Sequence, residues 1–346
     1  MINRTQDEIM ENWPKEWDSP LVSVRCITYN HEPYIAQALD GFLNQETTFP
    51  FEIIVHDDAS TDKTADIIRE YEAKYPKIIK PIYEIENQFS KYDGSLGRIM
   101  KNACKGKYFA YCEGDDYWTD PNKLQMQIDW LESHPDYAMC FHRSKIIKEL
   151  EIPCGLKCDS IENRDYSATE LFQEWIVPTA SICIRKETLS YPIKNPENIL
   201  NGDIILIEKA AHTGKVRGFK NIMAAYRVQS NSVTNDPKQR RARLKKLPKH
   251  YKVIKDNFPL IEKKVINKML FNSYIWQWKD DNYNINWQIK AFFTYPVYFF
   301  KNQFATIPES IRLLKKGKYR DALISLPFLN ILILYIYYNM LNHKIN

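Results

Sequence analysis

Hydrophobic and polar positions along the first 140 residues alternate between two periods. The run 21–28 is compact and β-branched, which predicts a strand. Tyr34, Ile35, Ala38, Leu39, Phe42 and Leu43 then recur at helical spacing, predicting a helix over about 33–44 with Pro33 in its first turn. The pattern repeats. Residues 51–56 read as a strand, and the polar run Asp57 to Asp62 leads into a helix with Ala65, Ile68, Tyr71 and Tyr75 on one face. Residues 78–83 form the next predicted strand, followed by a helix face at Leu96, Ile99, Met100, Ala103 and Cys104. A strand at 107–112, a helix at 121–133 and a strand at 137–142 complete the series. Strand–helix alternation of this kind predicts an α/β fold with a mostly parallel central sheet flanked by helices.

Beyond residue 150 the pattern loosens. Strands are expected at 180–185 and 223–228, and a helix at 204–212 after Asn201-Gly202-Asp203. From 238 onward the chain reads as helical, basic and aromatic, with an apolar stretch at 291–300 and no charge at all from 322 to 341. The expected organisation is an N-terminal polar tail (1–20), an α/β domain (21–237) and a helical C-terminal region (238–346).

Composition narrows the classes. Of 346 residues, 44% are hydrophobic and 26% charged, which is globular. The ten glycines form neither G-x-G-x-x-G nor G-x-x-x-x-G-K-[ST], which argues against a standard dinucleotide fold and a P-loop ATPase. The net charge of +5 conceals a division. Residues 1–237 carry 27 basic and 37 acidic side chains, net −10, and residues 238–346 carry 21 and 6, net +15. The acidic part suits a metal or acid–base chemistry, and the basic part suits an anionic surface. Seven cysteines and a polar N-terminus without an apolar signal segment fit a reducing cytoplasm. Cys26, Cys104, Cys112, Cys140 and Cys183 lie in apolar runs and read as core, and Cys154-x-x-x-Cys158 lacks the second pair a zinc site needs.

Candidate chemistry collects where strands end. In open α/β sheets, ligands bind beyond the carboxyl ends of the strands. Thr28-Tyr29-Asn30, Asp57-Asp58 and Glu113 with Asp115 and Asp116 all fall there. Each has a plain structural alternative: Asp57 or Asp58 as a helix cap, Glu113 to Asp116 as a turn, Asp203 as an N-cap. Together they gather carboxylates that repel one another and call for a cation, with Mg²⁺ or Mn²⁺ suited to bridging substrate phosphates.

Three segments taken in order, Val22 to Asn30, Glu52 to Asp62 and Tyr108 to Trp118, resemble the family 2 glycosyltransferases of GT-A fold. The resemblance extends over about 21–237 and implies a nucleotide-diphosphate sugar donor, UDP-sugar favoured. Thr28, Tyr29, Asn30 and the Asp57-Asp58 pair match segments that hold base and ribose. Glu113-x-Asp115 stands at the family's metal motif, usually Asp-x-Asp, with Asp116 following; Glu113 is the departure. The resemblance implies Asp115 and Asp116 as metal ligands, with Glu113 and Asp115 also facing the donor. Asn201-Gly202-Asp203 matches the motif that carries the catalytic base, and inversion of the anomeric centre is implied. Tyr226 to Ser230 resembles the segment that closes over the diphosphate, with Gln229 where relatives often carry His. Arg227 either supplies positive charge there or pairs with an acid on the sheet.

The basic C-terminal region suggests a peripheral location at the inner face of the cell membrane, with 322–341 either spanning or packed, and a glycan or lipid-linked acceptor. Rival readings are nucleic-acid binding by 238–255 with Tyr251 and Phe258 stacking, a carboxylate-pair glycoside hydrolase, and a degenerate, non-catalytic transferase. No nucleic-acid partner is expected under the leading reading.

Overall fold

The computed structural model describes residues 3–91, 93–148, 154–229, 237–280 and 285–294. The chain divides into two compact units, Met1–Pro237 and Lys238–Asn346.

The first unit begins with α1 (Gln6–Met10), closed by a Thr5–Glu8 capping box. The polar N-terminus is anchored: Ile9 and Trp13 are buried, the Trp13 indole lies edge-on to Phe51, and its Nε1 donates to Thr47 Oγ1 at 2.9 Å. Then follow β1 (Val22–Thr28), α2 (Ile35–Leu43), β2 (Phe51–Asp57), α3 (Thr64–Lys74), β3 (Ile79–Tyr83), α4 (Ser95–Ala103) and β4 (Tyr108–Tyr111). After β5 (Tyr117–Trp118) and α5 (Lys123–Ser133) come β6 (Tyr137–Lys148), α6 (Ala168–Gln173), β7 (Cys183–Arg185), α7 (Gly202–Thr213) and β8 (Lys215–Val228).

The eight strands form one sheet in the order β3-β2-β1-β4-β7-β6-β8-β5. The β3-β2-β1-β4 half is parallel throughout, and β6 runs parallel to β8. The β4–β7, β6–β7 and β5–β8 ladders are antiparallel, so the sheet as a whole is mixed. Residues of β1 and β2 are almost all buried because helices cover both faces. The period-2 alternation sends Ile53 and Val55 toward α2, α3 and α5, and Ile54 toward the opposite cluster that includes α4, α6 and α7. The five cysteines expected in the core are buried.

Two strands run longer than the apolar pattern shows. β6 continues past His142 through Arg143, Ser144 and Lys145, and β8 begins at Lys215. These halves are only partly covered, so their polar residues hid the strand. The two-residue β5 was not anticipated at all.

The second unit contains α8 (Pro237–Asn257), α9 (Lys263–Asp280) and α10 (Ile285–Thr294). Leu270, Phe271, Tyr274 and Ala291 form its apolar cluster. Lys245, Lys246, Lys249, Lys252 and Lys255 of α8 are exposed, while Val253, Ile254 and Phe258 are buried. Among the described residues no helix is long and apolar enough to cross a membrane. The uncharged stretch 322–341 lies outside the described residues.

Candidate active site

The register of the parallel half levels the strand ends. Thr28 pairs with Asp57 across β1 and β2. β4 stops opposite Arg25, but the chain keeps the ladder: Cys112 N donates to Arg25 O, and Gly114 N donates to Ile27 O at 2.9 Å. That delivers Glu113 to Asp116 to the same edge as Thr28 and Asp57.

On the β1–β2 side, two buried oxygens have no hydrogen-bond partner among the described residues, Thr28 Oγ1 and Asp57 Oδ1. Buried polar groups are nearly always satisfied, so this pair at a strand edge is open to a water or a ligand. Burial raises the Asp57 carboxyl above its usual range. Asp58 differs: its two oxygens accept from Gln88 N at 2.6 Å and Phe89 N at 3.0 Å, which holds the following loop. Asn30 adopts a left-handed conformation at φ 55°. Its N–H donates to Ser60 Oγ and its Oδ1 accepts from Thr61 N, clamping the two loops together. Tyr29 is 44% exposed beside them.

On the other side, Asp116 is buried and its Oδ1 accepts from Arg227 N at 2.8 Å. The Arg227 guanidinium donates to the Asp115 carbonyl and to Gln37 Oε1. It lies over the Tyr34 and Tyr117 rings, 4.9 and 4.7 Å from their centroids. Arg227 therefore fixes the turn that carries Asp115. Gln229 Nε2 donates to Asp115 Oδ2 at 3.0 Å, and His31 Nε2 stands 3.9 Å from the same oxygen. Burial pulls the His31 pKa down, which favours a neutral ring.

A cavity of about 360 Å³ opens here. It brings together Glu113, Asp115, Asp116, Asp203, Arg227 and Gln229, with Trp175 and Tyr226 on its wall. Asp203 is exposed in the first turn of α7. Thr28, Tyr29, Asn30, Asp57 and Asp58 are not among its lining residues; of these, Thr28 lies against the Glu113–Asp116 turn, where a Cβ added at Gly114 would meet its Oγ1 at 2.7 Å. Glu113 is pushed up to about 8, first by burial, then by the negative charges of Asp115 and Asp203. Asp116 is raised well above the carboxylate range, again chiefly by burial and then by Asp115 and Glu113.

Carboxylates that raise one another this way fit a cation. Among the described residues, however, no group of three His, Cys, Asp or Glu side chains could hold a metal ion by itself. The residues suit an ion shared with a ligand's phosphates, which is how Mg²⁺-type ions are commonly bound. His31, Tyr34, Gln37 and Trp175 escaped the sequence reading. His31 directly follows the segment Val22 to Asn30 and could have been found, whereas nothing in the pattern marks Gln37 or Trp175.

Residues 23–177 match the profile described as Glycosyl transferase family 2. These residues are a family 2 glycosyltransferase domain. The glycosyltransferase domain contributes most of the strand-edge groups, while Asp203, Arg227 and Gln229 follow it in the chain. An uncharacterized protein of Mycobacterium tuberculosis is 37% identical over 216 residues, which span 61% of this chain and 60% of that relative. The match thus covers less than two thirds of the relative's length. Among solved structures, Staphylococcus aureus TarS 1–349 in complex with UDP-GlcNAc aligns with a TM-score of 0.51 at 14% identity, covering 79% of this chain and 91% of that one. The mannosyltransferase PcManGT of Pyrobaculum calidifontis, in complex with GDP-Man and Mn²⁺, aligns at 0.50 with 17% identity over 75% and 76%. At these identities the likeness is one of fold, and the fold is the GT-A glycosyltransferase fold.

Proposed function

We propose that this chain transfers a sugar from a nucleotide-diphosphate sugar to a hydroxyl acceptor, with inversion and with help from a divalent ion. The observation that carries the proposal is the convergence of the unpartnered Thr28 and Asp57 oxygens, the Glu113–Asp116 turn and Asp203 on one sheet edge. Thr28 and Asp57 accept and donate to the base or ribose, with Tyr29 alongside. Asn30 and Asp58 keep the loops that shape this half. Asp115, with Asp116 behind it, would hold Mg²⁺ or Mn²⁺ together with the diphosphate. When bound, such an ion neutralises charge on a leaving diphosphate. Arg227 acts through the turn, by holding Asp115 in place. Asp203 takes the proton from the attacking hydroxyl. Its exposure at the cavity suits an acceptor that arrives from solvent. Structures of the same fold hold UDP-GlcNAc and GDP-Man, which supports a nucleotide-sugar donor; UDP is the first nucleotide to try.

Calorimetric titration with UDP, with and without Mn²⁺, tests the reading. Binding should be tighter with Mn²⁺, and Asp115→Ala should abolish that difference. Asp203→Asn should bind UDP like wild type and lose transfer. Transfer by Asp203→Asn at the wild-type rate removes Asp203 from the base role, and absence of binding to UDP, GDP and dTDP removes the donor reading.

The lysine face of α8 supports a peripheral station on an anionic membrane at the cytoplasmic side, near a glycan or lipid-linked acceptor. The nucleic-acid alternative is weakened because the Phe258 ring is buried and cannot stack on a base.

A further inference from the structure

Trp175 is out of place by ordinary burial rules. Its neighbours Ile176 and Val177 are 4% and 5% exposed, and Leu171 and Phe172 before it are buried, yet Trp175 is 44% exposed. Among the described residues it is the one exposed large apolar side chain that also lines the active-site cavity. The ring is not loose. Its backbone carbonyl accepts from Lys157 N at 2.8 Å, and Lys157 Nζ reaches Glu174 Oε2 at 3.5 Å. The Tyr226 ring meets it edge-on, 6.3 Å between centroids at 85°. Gly155 lies against its far edge, where an added Cβ would stand 3.5 Å from Cε3. A large indole thus packs against Tyr226 and Gly155 while it remains 44% exposed and lines the cavity.

The same cavity carries four carboxylates, Glu113, Asp115, Asp116 and Asp203, together with Arg227 and Gln229. An indole wall opposite carboxylates fits a pyranose ring. The apolar C–H face of the sugar covers the aromatic surface, and its hydroxyls donate to carboxylate oxygens. The nucleotide half of the site, at Thr28, Tyr29 and Asp57, lies outside the lining of this cavity. That leaves Trp175 on the side of the reacting sugars. We propose that Trp175 is the platform on which the acceptor's terminal sugar ring stacks, so that the acceptor is a saccharide, with the reactive hydroxyl presented toward Asp203. This rests on reading the cavity as a sugar-transfer site.

The test uses the full chain loaded with UDP and Mn²⁺, and a panel of disaccharides of glucose, N-acetylglucosamine, galactose and rhamnose. Disaccharide binding is followed by tryptophan fluorescence and by calorimetry, for wild type, Trp175→Ala and Trp175→Phe. At least one disaccharide should bind wild type. Trp175→Ala should weaken it by about 10- to 30-fold, the usual effect of removing a buried aromatic anchor. Trp175→Phe should retain most of the affinity and lose the fluorescence change. UDP affinity and thermal midpoint should be unchanged in both. Unaltered disaccharide binding in Trp175→Ala, or no disaccharide binding by wild type, overturns the proposal. So does a change confined to UDP-sugar affinity, which would give the ring to the donor. Failure of wild type to bind UDP counts instead against the transferase reading, and the disaccharide arm still judges Trp175.

Discussion

Replacing Gly114 with alanine should damage the site far more than the fold. The new Cβ would lie 2.7 Å from Thr28 Oγ1, 2.8 Å from Thr28 Cβ and 3.0 Å from His31 Nδ1. Ordinary contact begins at 3.4 Å, so something must give by about 0.7 Å. Thr28 cannot retreat: it is 1% exposed and ends a strand paired to β2. The turn from Glu113 to Asp116 must therefore lift. Overpacking of this size costs about 1–3 kcal/mol. At roughly 2–4 °C per kcal/mol for a domain of this size, the thermal midpoint should fall by about 2–12 °C. The same lift displaces Glu113 and Asp115, and a displacement approaching 1 Å costs up to about 100-fold in rate. Scanning calorimetry gives the first number, and UDP titration with sugar transfer gives the second. Gly97→Ala is the control. Gly97 sits in α4 with nothing within 4 Å of an added Cβ, and alanine there should stabilise by about 0.5–1 kcal/mol. If Gly114→Ala melts with wild type and binds UDP equally well, the close seat of the turn on Thr28 is wrong.

Asp58→Asn should lower stability by about 1–3 kcal/mol while leaving UDP affinity within a few-fold, because one of its two N–H partners would then face an amide N–H; a large loss of UDP affinity without a change in midpoint would make Asp58 a direct donor ligand. Glu208 is fully buried on α7, neither carboxyl oxygen has a hydrogen-bond partner among the described residues, and His212 Nδ1 is 3.8 Å away. Burial pushes its pKa up to about 9 from 4.5, so the folded state holds the proton longer and stability should fall as pH rises from about 4.5 to about 9, by up to about 1.4 kcal/mol per pH unit. Glu208→Gln should flatten that part of the midpoint–pH curve, and an unchanged slope would show that the carboxyl is hydrated or paired in solution. Changing Lys245, Lys249 and Lys252 of α8 together to Gln should weaken sedimentation with phosphatidylserine vesicles at low salt, by about 1 kcal/mol per residue removed; equal sedimentation of wild type and variant would take α8 off the membrane.

The parallel half of the sheet could be read because its strands are buried on both faces, so apolar runs such as Ile53 to Val55 stand out against the polar turns. The other half could not. In β6 the residues after His142 alternate with charge because they are partly exposed, and β5 is two residues held by pairing with Ala224 and Ala225, a partner more than a hundred residues away. Local propensity cannot report such a pairing. The candidate site divides in the same way. Thr28, Asp57 and the Glu113–Asp116 turn lie directly at strand ends and follow from order along the chain. The roles of Asp58, Asn30 and Arg227 depend on what their atoms touch, and those contacts join segments 30 to 190 residues apart. Trp175 carries no local mark because an exposed tryptophan and a core tryptophan look alike in one sequence.

The Arg227 clamp has a consequence for how the protein is made. Arg227 bridges Gln37 near the start of the chain and Asp115 in its middle, from the end of the last strand. During synthesis the β3-β2-β1-β4 layer can pair as soon as residue 111 has left the ribosome. The carboxylate turn beyond it has no backbone donor for Asp116 until β8 is complete, 111 residues after Asp116. Three crowded acids would wait in an unfinished pocket through all that time. The last of the described strands thus completes the turn, because the backbone donor that holds Asp116 comes from β8.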